Sequence, residues 1–215
     1  MESSEHRTMN VYFLLDTSGS TKENGVINIL NREMNSIDSK FAQILSDLKF
    51  GDTELRFRVL SFGGFSYDKI RWVVGSRSTY APTIGIDSLV AEGNTWLSEA
   101  IDELVDSIES IDRGEKPYPT VVFLVNDGDF SGEDDMLNKA IKRLQTIKDR
   151  FAIILAICNF ENDIEYVLQP IISRDRYNNL IKLDSLSIEN FKHVLSQLKL
   201  SIMSPATSLV EDDLV

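Results

Sequence analysis

The sequence of 215 residues contains a single cysteine and two histidines. Because Cys158 has no second cysteine to pair with, an internal disulfide is excluded, and nothing in the sequence indicates a secreted protein. The scarcity of imidazole groups makes histidine-based catalysis and histidine-rich metal sites poor candidates. Cys158 ends an apolar run that begins at Phe151, which predicts a buried thiol in the core.

Glycine and proline are also scarce, with 11 and 5 residues, which excludes collagen-like and low-complexity chains. No apolar stretch of the sequence approaches the roughly 18 residues that a transmembrane helix needs. Residues 1–10 are polar and lack the apolar centre of a signal peptide. We therefore expect a cytoplasmic protein that does not associate with a membrane.

Acidic side chains outnumber basic ones by 34 to 22, which gives a formal net charge of −12. This charge repels phosphates on average, so the composition argues against a nucleic-acid-binding protein. It suits a partner that brings cations or a basic surface. The length fits one domain. We expect a polar segment over residues 1–10, the domain over residues 11–203 and a flexible acidic tail over residues 204–215.

Short apolar runs alternate along the chain with segments whose apolar residues recur every three or four positions. The runs predict buried strands at residues 11–16, 55–62, 70–74, 120–125, 151–157 and 180–183. The spacing predicts helices at residues 27–48, 97–111, 137–147 and 188–202, with a short helix at 163–168. This alternation predicts an α/β fold with a mostly parallel sheet and residues 70–74 as a short edge strand.

Small oxygen-bearing side chains cluster in three loops that fall at one edge of the predicted sheet, where open parallel sheets bind ligands. The candidates are Asp16, Ser18, Ser20, Thr95 and Asp127. Sets of oxygen ligands without thiolate or imidazole favour hard cations such as Mg²⁺, Mn²⁺ or Ca²⁺. Two carboxylates balance a divalent ion without over-neutralising it. The ion could therefore accept one more anionic oxygen, such as a carboxylate from another molecule.

Each loop also has a local structural interpretation. Ser20 and Glu23 fit a capping box at the start of the first long helix. Thr95 fits the N-cap of its own helix. Asp127 and Gly128 form a common turn pair. The occurrence of all three loops in this order on one α/β sheet favours the metal site.

The segment Asp16-Thr-Ser18-Gly-Ser20, followed by Thr95 and by Asp127-Gly, resembles the von Willebrand factor A domain with its metal-ion-dependent adhesion site. The resemblance covers residues 11–203. It implies a doubly wound, Rossmann-like sheet flanked by helices, with one short antiparallel edge strand. It also implies that the three hydroxyls bind Mg²⁺ or Mn²⁺ and that the two carboxylates bind it directly or through water.

Within this family, residues 11–20 and 123–128 are most similar to the small bacterial cytoplasmic members related to the tellurium-resistance protein TerY. That similarity implies a phosphatase or a protein kinase as the partner. The sequence departs from such chains at Gly63-Gly64, where they often carry Asp-Ser, and at Asn126 and Asp129 beside the third loop. Trp96 either lines the rim of the site or packs beneath its loop. These positions leave the five ligands intact but alter the rim.

We therefore expect a metal-dependent protein-interaction module rather than an enzyme, in a bacterial stress-response or signalling system. Its cation would bridge to a Glu or Asp side chain of a partner protein. One alternative is a Mg²⁺-dependent phosphatase of the haloacid-dehalogenase type. Such an enzyme uses Asp-x-Asp, and Ser18 in the third position cannot serve as its general acid. The other alternative is a structural α/β domain without metal.

Overall fold

The fold is built on one six-stranded sheet. The computed structural model describes residues 7–50, 52–66, 68–77, 79, 81–110, 120–126, 134–150, 153–159, 180–183 and 185–203. Its strands are β1 (Arg7–Asp16), β2 (Thr53–Phe62), β3 (Ile70–Val74), β4 (Thr120–Asn126), β5 (Ile153–Asn159) and β6 (Leu180–Leu183). Their spatial order is β3-β2-β1-β4-β5-β6. Each strand predicted from the sequence is therefore present: β3 and β6 have the predicted boundaries, and the other strands differ by at most four residues at either end.

The strand order creates a crevice between β1 and β4. All strands run parallel except β3, which pairs antiparallel with β2 at the edge, as predicted. From β1 the chain passes to β2 on one side, and it returns after β3 to β4 on the other side. The loops that leave β1 and β4 therefore diverge, and ligands bind in such a gap at the carboxyl ends of the strands.

Helices cover both faces of the sheet. They are α1 (Gly19–Glu23), α2 (Val26–Met34), α3 (Ile37–Asp47), α4 (Leu97–Ser110), α5 (Asp134–Arg150) and α6 (Ile188–Met203). Helices α2, α3 and α6 pack on one face, and α4 and α5 on the other. The doubly wound α/β fold is thus confirmed. No helix in the described part of the chain is long and apolar enough to cross a membrane.

The predicted helix over residues 27–48 is wrong as a single element, because the chain forms α2 and α3 with a break between them. Ser36 Oγ donates to Glu33 O at 3.1 Å, a local bond that competes with the helical backbone. Upstream, Gly25 precedes α2 with a positive φ of 79°, which separates α1 from α2. The apolar spacing runs through the break because both helices pack on the same face of the sheet.

Strand β1 starts at Arg7, earlier than the predicted start at Val11. Residues 7–10 pair in register with residues 53–56 of β2, and Met9 is fully buried. Cys158 on β5 is 1% exposed, so the prediction of a core thiol is confirmed. The predicted short helix at residues 163–168 and the tail over residues 204–215 lie outside the described residues.

An aromatic cluster lies beneath the crevice on the face of α2, α3 and α6. Phe13 of β1 stacks on Phe123 of β4 with ring centroids 4.9 Å apart. The rings of Phe41 and Phe191 contact this pair, Phe191 lying edge-on to Phe123 at 5.0 Å. Each aromatic pair stabilises a fold by about 0.5–1.5 kcal/mol beyond burial of its area. The cluster therefore fixes β1 and β4 side by side, just below the ends that border the crevice.

The opposite face holds a second, polar cluster, which we call the outer polar cluster. Its members are Tyr12, Arg58, Trp72, Arg77, Glu103 and Ser107. Arg58 is fully buried, donates to Arg77 O at 2.5 Å and to Ser107 Oγ, and places its guanidinium 5.6 Å from the Tyr12 ring centroid. These contacts tie β2 to α4 and to the chain that follows β3.

Glu103 of α4 balances charge in the outer polar cluster. Arg77 forms a bidentate ion pair with its carboxylate, and Trp72 Nε1 donates to it at 2.9 Å. The hydrogen bond from Arg77 lowers the pKa of Glu103; burial opposes this effect, and the bond from Trp72 reinforces it. Glu103 is therefore held ionised against Arg77.

Residues 81–96, which we call the connecting segment, link β3 to α4 without forming a helix or a further strand. Asn31 of α2 exchanges two hydrogen bonds with the backbone of Leu89, at 2.7 and 3.1 Å. The Asp38 carboxylate of α3 accepts a bond from Ile84 N at 2.9 Å. Both Ile84 and Leu89 are buried in the core. The connecting segment is thus anchored on α2 and α3 before it reaches the crevice.

Candidate metal centre

Asp16 lies at the carboxyl end of β1 and is fully buried. Its Oδ1 accepts a hydrogen bond from Ser18 N at 2.8 Å, and its Oδ2 accepts one from Asn126 Nδ2 at 2.9 Å. Both of these donors are uncharged, and they fix the orientation of the carboxylate. A buried, oriented carboxylate at the crevice is a suitable group for binding a cation.

The hydroxyls of Ser18 and Ser20 face each other beside Asp16, with their Oγ atoms 3.0 Å apart. Adjacent ligands of an octahedral Mg²⁺ ion, bound at about 2.0–2.1 Å, are about 3 Å apart from one another. The separation therefore suits two neighbouring oxygen ligands as well as a hydrogen bond between hydroxyls. The spacing Asp-x-Ser-x-Ser thus brings the two serine hydroxyls together and bonds the Ser18 backbone to the Asp16 carboxylate.

The capping-box interpretation of Ser20 is wrong. Ser20 lies inside the short helix α1, which ends at Glu23, and the long helix that it was to cap does not exist as one element. Ser18 holds the N-cap position of α1 but makes no side-chain cap hydrogen bond. Neither hydroxyl is needed to begin a helix here, which leaves both side chains directed toward each other.

Thr95 lies on the second loop, 3% exposed, just before α4. Helix α4 begins at Leu97, and Trp96 O accepts a hydrogen bond from Ala100 N at 3.1 Å. This places Trp96 rather than Thr95 at the cap, against the N-cap interpretation. Because Gly93 O accepts from Gly19 N at 3.0 Å, the loop of Thr95 is held against the loop of Ser18 and Ser20.

Glycines at positions 63 and 93 allow the loops after β1 and β2 and the connecting segment to meet. A Cβ on Gly63 would lie 2.5 Å from the backbone of Thr17, and one on Gly93 would lie 2.1 Å from Gly64 O. Gly93 also has a positive φ of 66°, which side-chain-bearing residues rarely adopt. The departure from Asp-Ser at Gly63-Gly64 therefore has a steric reason, because the first loop occupies the space of a side chain.

Trp96 packs beneath the loop rather than standing alone on the rim. Its Nε1 donates to Gly64 O at 3.0 Å, and the Lys69 ammonium lies 4.0 Å from its ring centroid. Lys69 also donates to Glu99 at 2.6 Å. Burial raises the pKa of Glu99, but hydrogen bonds from Lys69 and Ser98 outweigh burial and hold the pKa below its usual value. The indole therefore fixes the loop of Gly64.

The fifth predicted ligand, Asp127, lies outside the described residues. The residue before it, Asn126, ends β4, is fully buried and holds Asp16 through its amide. From the sequence alone, Asn126 was assigned to the rim, and its contact with Asp16 was missed. Only the adjacency of β1 and β4, a property of the strand order, could have revealed it.

The donor set fits a hard divalent cation. Among the residues that the structure describes, no three carboxylate, imidazole or thiolate side chains lie close enough together to hold a metal ion. The described oxygen groups in this region are the Asp16 carboxylate and the paired hydroxyls of Ser18 and Ser20, with Thr95 on the adjoining loop. Neutral oxygen ligands combined with few carboxylates are typical of Mg²⁺ and Mn²⁺ rather than of softer metals.

Comparison with protein families agrees with this architecture. The sequence profile of the von Willebrand factor type A domain matches residues 10–195, and the chain belongs to this family. No curated protein sequence matches the chain at a significant level. Domains of this family commonly act as protein-interaction modules.

Solved structures share the fold at low sequence identity. The pilus adhesin SpaC from Lactobacillus rhamnosus GG has a TM-score of 0.59 and 10% identity, over 91% of this chain and 31% of the adhesin. Proximal thread matrix protein 1 from the mussel byssus has a TM-score of 0.52 and 15% identity, over 92% of this chain and 46% of its own. The SpRpn10 VWA domain has a TM-score of 0.51 and 11% identity, over 91% of this chain and 95% of that domain. The chain thus spans less than half of the adhesin and of the mussel protein, and these similarities show the fold alone.

Proposed function

We propose that the domain binds Mg²⁺ or Mn²⁺ through Asp16, Ser18, Ser20, Thr95 and Asp127, and that the cation bridges to a Glu or Asp side chain of a partner protein. The observation that carries this proposal is the pair of serine hydroxyls, 3.0 Å apart, beside a buried carboxylate held by neutral donors. The function is recognition of a partner, without chemical conversion of a substrate.

The balance of charge explains why such a site accepts a partner. Two carboxylates match the charge of a divalent cation, and the remaining ligands in the set are neutral hydroxyls. The bound cation supplies an electrophilic position for one more anionic oxygen. The chain itself orients the ligands: the Asn126 amide and the Ser18 N–H position the Asp16 carboxylate, and Gly93 positions the loop of Thr95.

The finer assignments rest on the sequence resemblance. They are a TerY-like role in a bacterial stress-response or signalling system, a cytoplasmic location, and a phosphatase or protein kinase as the partner. The enzymatic alternative, a haloacid-dehalogenase-type phosphatase, needs a general acid at the position of Ser18, whose hydroxyl instead contacts Ser20. An assay with a generic phosphate ester and Mg²⁺ distinguishes this phosphatase from the proposed interaction module. We expect no turnover above that of the Asp16→Asn variant.

Manganese titration followed by electron paramagnetic resonance tests the metal site directly. Free Mn²⁺ gives a signal that is lost on binding, so the assay needs no partner. We expect one bound ion per chain, displaced by Mg²⁺. The variant Ser18→Ala/Ser20→Ala should lose this binding, whereas Ser36→Ala/Ser39→Ala, which also removes two hydroxyls with local hydrogen bonds, should retain it. Equal binding by both variants would refute the site.

Partner capture tests the bridge. Immobilised protein is incubated with extract of the native cell in Mg²⁺ or in excess chelator, and bound proteins are compared by mass spectrometry. We expect a partner that is retained in Mg²⁺ and released by the chelator. A partner bound equally in chelator contradicts the bridging role, even if the metal site itself is present.

A further inference from the structure

A cavity of about 150 Å³ lies beside the candidate metal centre, between β3 and the connecting segment. Thr17, which separates Asp16 from Ser18, forms part of its wall, as do Gly63 and Gly64. The cavity therefore shares a wall with the metal loop. An opening of about this volume holds a group the size of benzene, so one side chain of a partner fits inside.

The Thr17 side chain offers a hydrogen-bonding group to the cavity. Thr17 is 6% exposed, and within the described residues its hydroxyl makes no hydrogen bond, although it lines the cavity. The hydroxyl is not among the fully buried polar atoms that lack a partner, so it is accessible from the cavity, where water or a ligand can bond to it. Its oxygen can accept a hydrogen bond from a donor that enters the cavity.

The charged residues around the cavity indicate that a ligand bound there carries a positive charge. Asp68, Asp87 and Glu92 line it, and none of them forms an ion pair within the described part of the chain. Of the two basic residues in the lining, Lys69 has its ammonium bound to Glu99, which leaves the exposed Arg71 against three carboxylates. The opening is therefore an acidic one, in a chain that already carries a net charge of −12.

Apolar side chains border the same opening. Val90 of the connecting segment lines it and is 70% exposed. Leu89 and Val73 contribute apolar surface to the wall of the cavity. An aliphatic stem that ends in a cation can contact such a wall while its head meets the carboxylates.

We propose that this cavity receives a lysine side chain of the partner protein, presented beside the carboxylate that binds the metal. This inference rests on the proposed function and deepens it by naming the chemistry of the partner. Lysine has three N–H donors on a slender stem, which suits the Thr17 hydroxyl and the surrounding carboxylates. The site thus recognises an acidic and a basic residue together, and a uniformly acidic partner is rejected by the rim.

Blocked peptides test the proposal. Each peptide contains one Glu within glycines and one Lys placed one, two or three residues away, and its matched counterpart has Gln in place of Lys. Binding to the full chain is measured by NMR chemical-shift titration in Mg²⁺ and in chelator. We expect at least one Lys peptide to bind about fivefold more tightly than its Gln counterpart at low salt, with less preference at high salt.

Charge variants connect that preference to the cavity. Asp87→Asn should reduce the ratio of Lys to Gln affinity, and Arg71→Gln should increase it, because the two substitutions change the charge of the rim in opposite directions. Asp135→Asn, on the exposed surface of α5, is the matched control and should leave the ratio unchanged. In the NMR titration, the largest chemical-shift changes should be those of Phe65, Val90 and the loop of Thr17.

The outcomes separate this inference from the proposed function. If the peptides bind only with Mg²⁺ but every Lys peptide matches its Gln counterpart, the lysine cavity is refuted and the metal bridge stands. If the Lys preference persists in chelator and the peptides bind as tightly as in Mg²⁺, the cavity stands and the bridge is refuted. Absence of any shift with every peptide overturns the lysine cavity, and the manganese titration then decides the metal site independently.

Discussion

The carboxyl end of β1 and the outer polar cluster both bury charged side chains against the same sheet. In the outer polar cluster the buried Glu103 carboxylate pairs with Arg77, whose side chain is 54% exposed, so the charge of Glu103 is matched by an opposite charge. At the end of β1, Asp16 is held by an N–H group and an amide, both neutral. A carboxylate paired with a cation contributes to the fold, whereas the two bonds described for Asp16 orient its carboxylate as the proposed metal site requires. On this difference in hydrogen-bond donors we base the proposal of a binding site at Asp16 and a structural role for Glu103.

The largest expected effect is that of Asp16→Ala on metal affinity. Loss of a ligand should exceed the roughly 10–100-fold loss that follows removal of an outer partner, so we expect Mn²⁺ affinity to fall by more than about 100-fold, or about 2.7 kcal/mol. The manganese titration measures it, and circular dichroism checks the fold. Asp16→Asn, which keeps a side-chain acceptor and removes the charge, should fail equally. If either variant bound metal with the affinity of the wild-type protein, the proposed role of Asp16 as a metal ligand would be contradicted.

A smaller effect is expected for Asn126→Ala. Its amide orients Asp16 without being one of the proposed ligands, so Mn²⁺ affinity should fall by about 10–100-fold while binding persists. Asn138→Ala, at an exposed position of α5, is the control. An unchanged affinity would mean that Asp16 is oriented adequately without the amide, and a complete loss would make Asn126 a ligand.

Glu103→Gln should show the opposite profile, with lower stability and an unchanged metal affinity. Loss of the charged hydrogen bonds should lower the free energy of unfolding by about 1–2 kcal/mol at neutral pH. Urea denaturation at several pH values measures it.

The pH dependence of that difference follows from the lowered pKa of Glu103. The pKa of Glu103 is near 4.5 in the unfolded chain and lower in the folded protein. The ion pair therefore stabilises the fold fully above pH 4.5, and this stabilisation is lost as the pH falls through the pKa of the folded protein. The wild-type protein and Glu103→Gln should therefore converge in stability as the solution is acidified through that range. A difference that grows on acidification would show that another group controls the cluster.

The smallest effect is expected for Arg143→Gln. Arg143 of α5 donates to Asp102 at 2.6 Å and to Asp106 at 2.5 Å, both on α4, but all three side chains are about 40% exposed. Exposed ion pairs contribute roughly 0.2–1 kcal/mol and are screened by salt. Urea denaturation at low and high salt should show a small loss that vanishes at high salt. A loss of stability as large as that of Glu103→Gln would show that this exposed ion pair contributes to the fold as much as the pair in the outer polar cluster.

Local patterns account for what could be predicted from the sequence. Apolar runs and three-to-four spacing found the strands and most of the helices because these patterns report which face is buried. The same spacing concealed the break at Ser36, since α2 and α3 bury one continuous face. Residues 7–10 have no such pattern, and only their pairing with residues 53–56 of β2 shows that they are a strand.

The candidate site likewise has one part that local sequence patterns predict and one part that they do not. Asp16, Ser18 and Ser20 are neighbours in the sequence, so local spacing alone accounts for the contact between the two hydroxyls and for the bond from Ser18 N to Asp16. The contact of Asn126 with Asp16 depends on which strands lie side by side, and the packing of Gly93 on Gly64 depends on the path of the connecting segment. Neither is encoded in local spacing, because both join residues that are distant along the chain.

The packing of Thr17 against Gly63 has a consequence for evolution. A side chain at position 63 and the present course of the first loop exclude each other, since a Cβ there would lie 2.5 Å from the Thr17 backbone. The two positions must therefore change together: a descendant that gains a larger residue at 63 has to reroute the loop that presents Ser18. In an alignment of relatives, the presence or absence of glycine in that single column should sort the sequences into two lineages with differently shaped recognition loops.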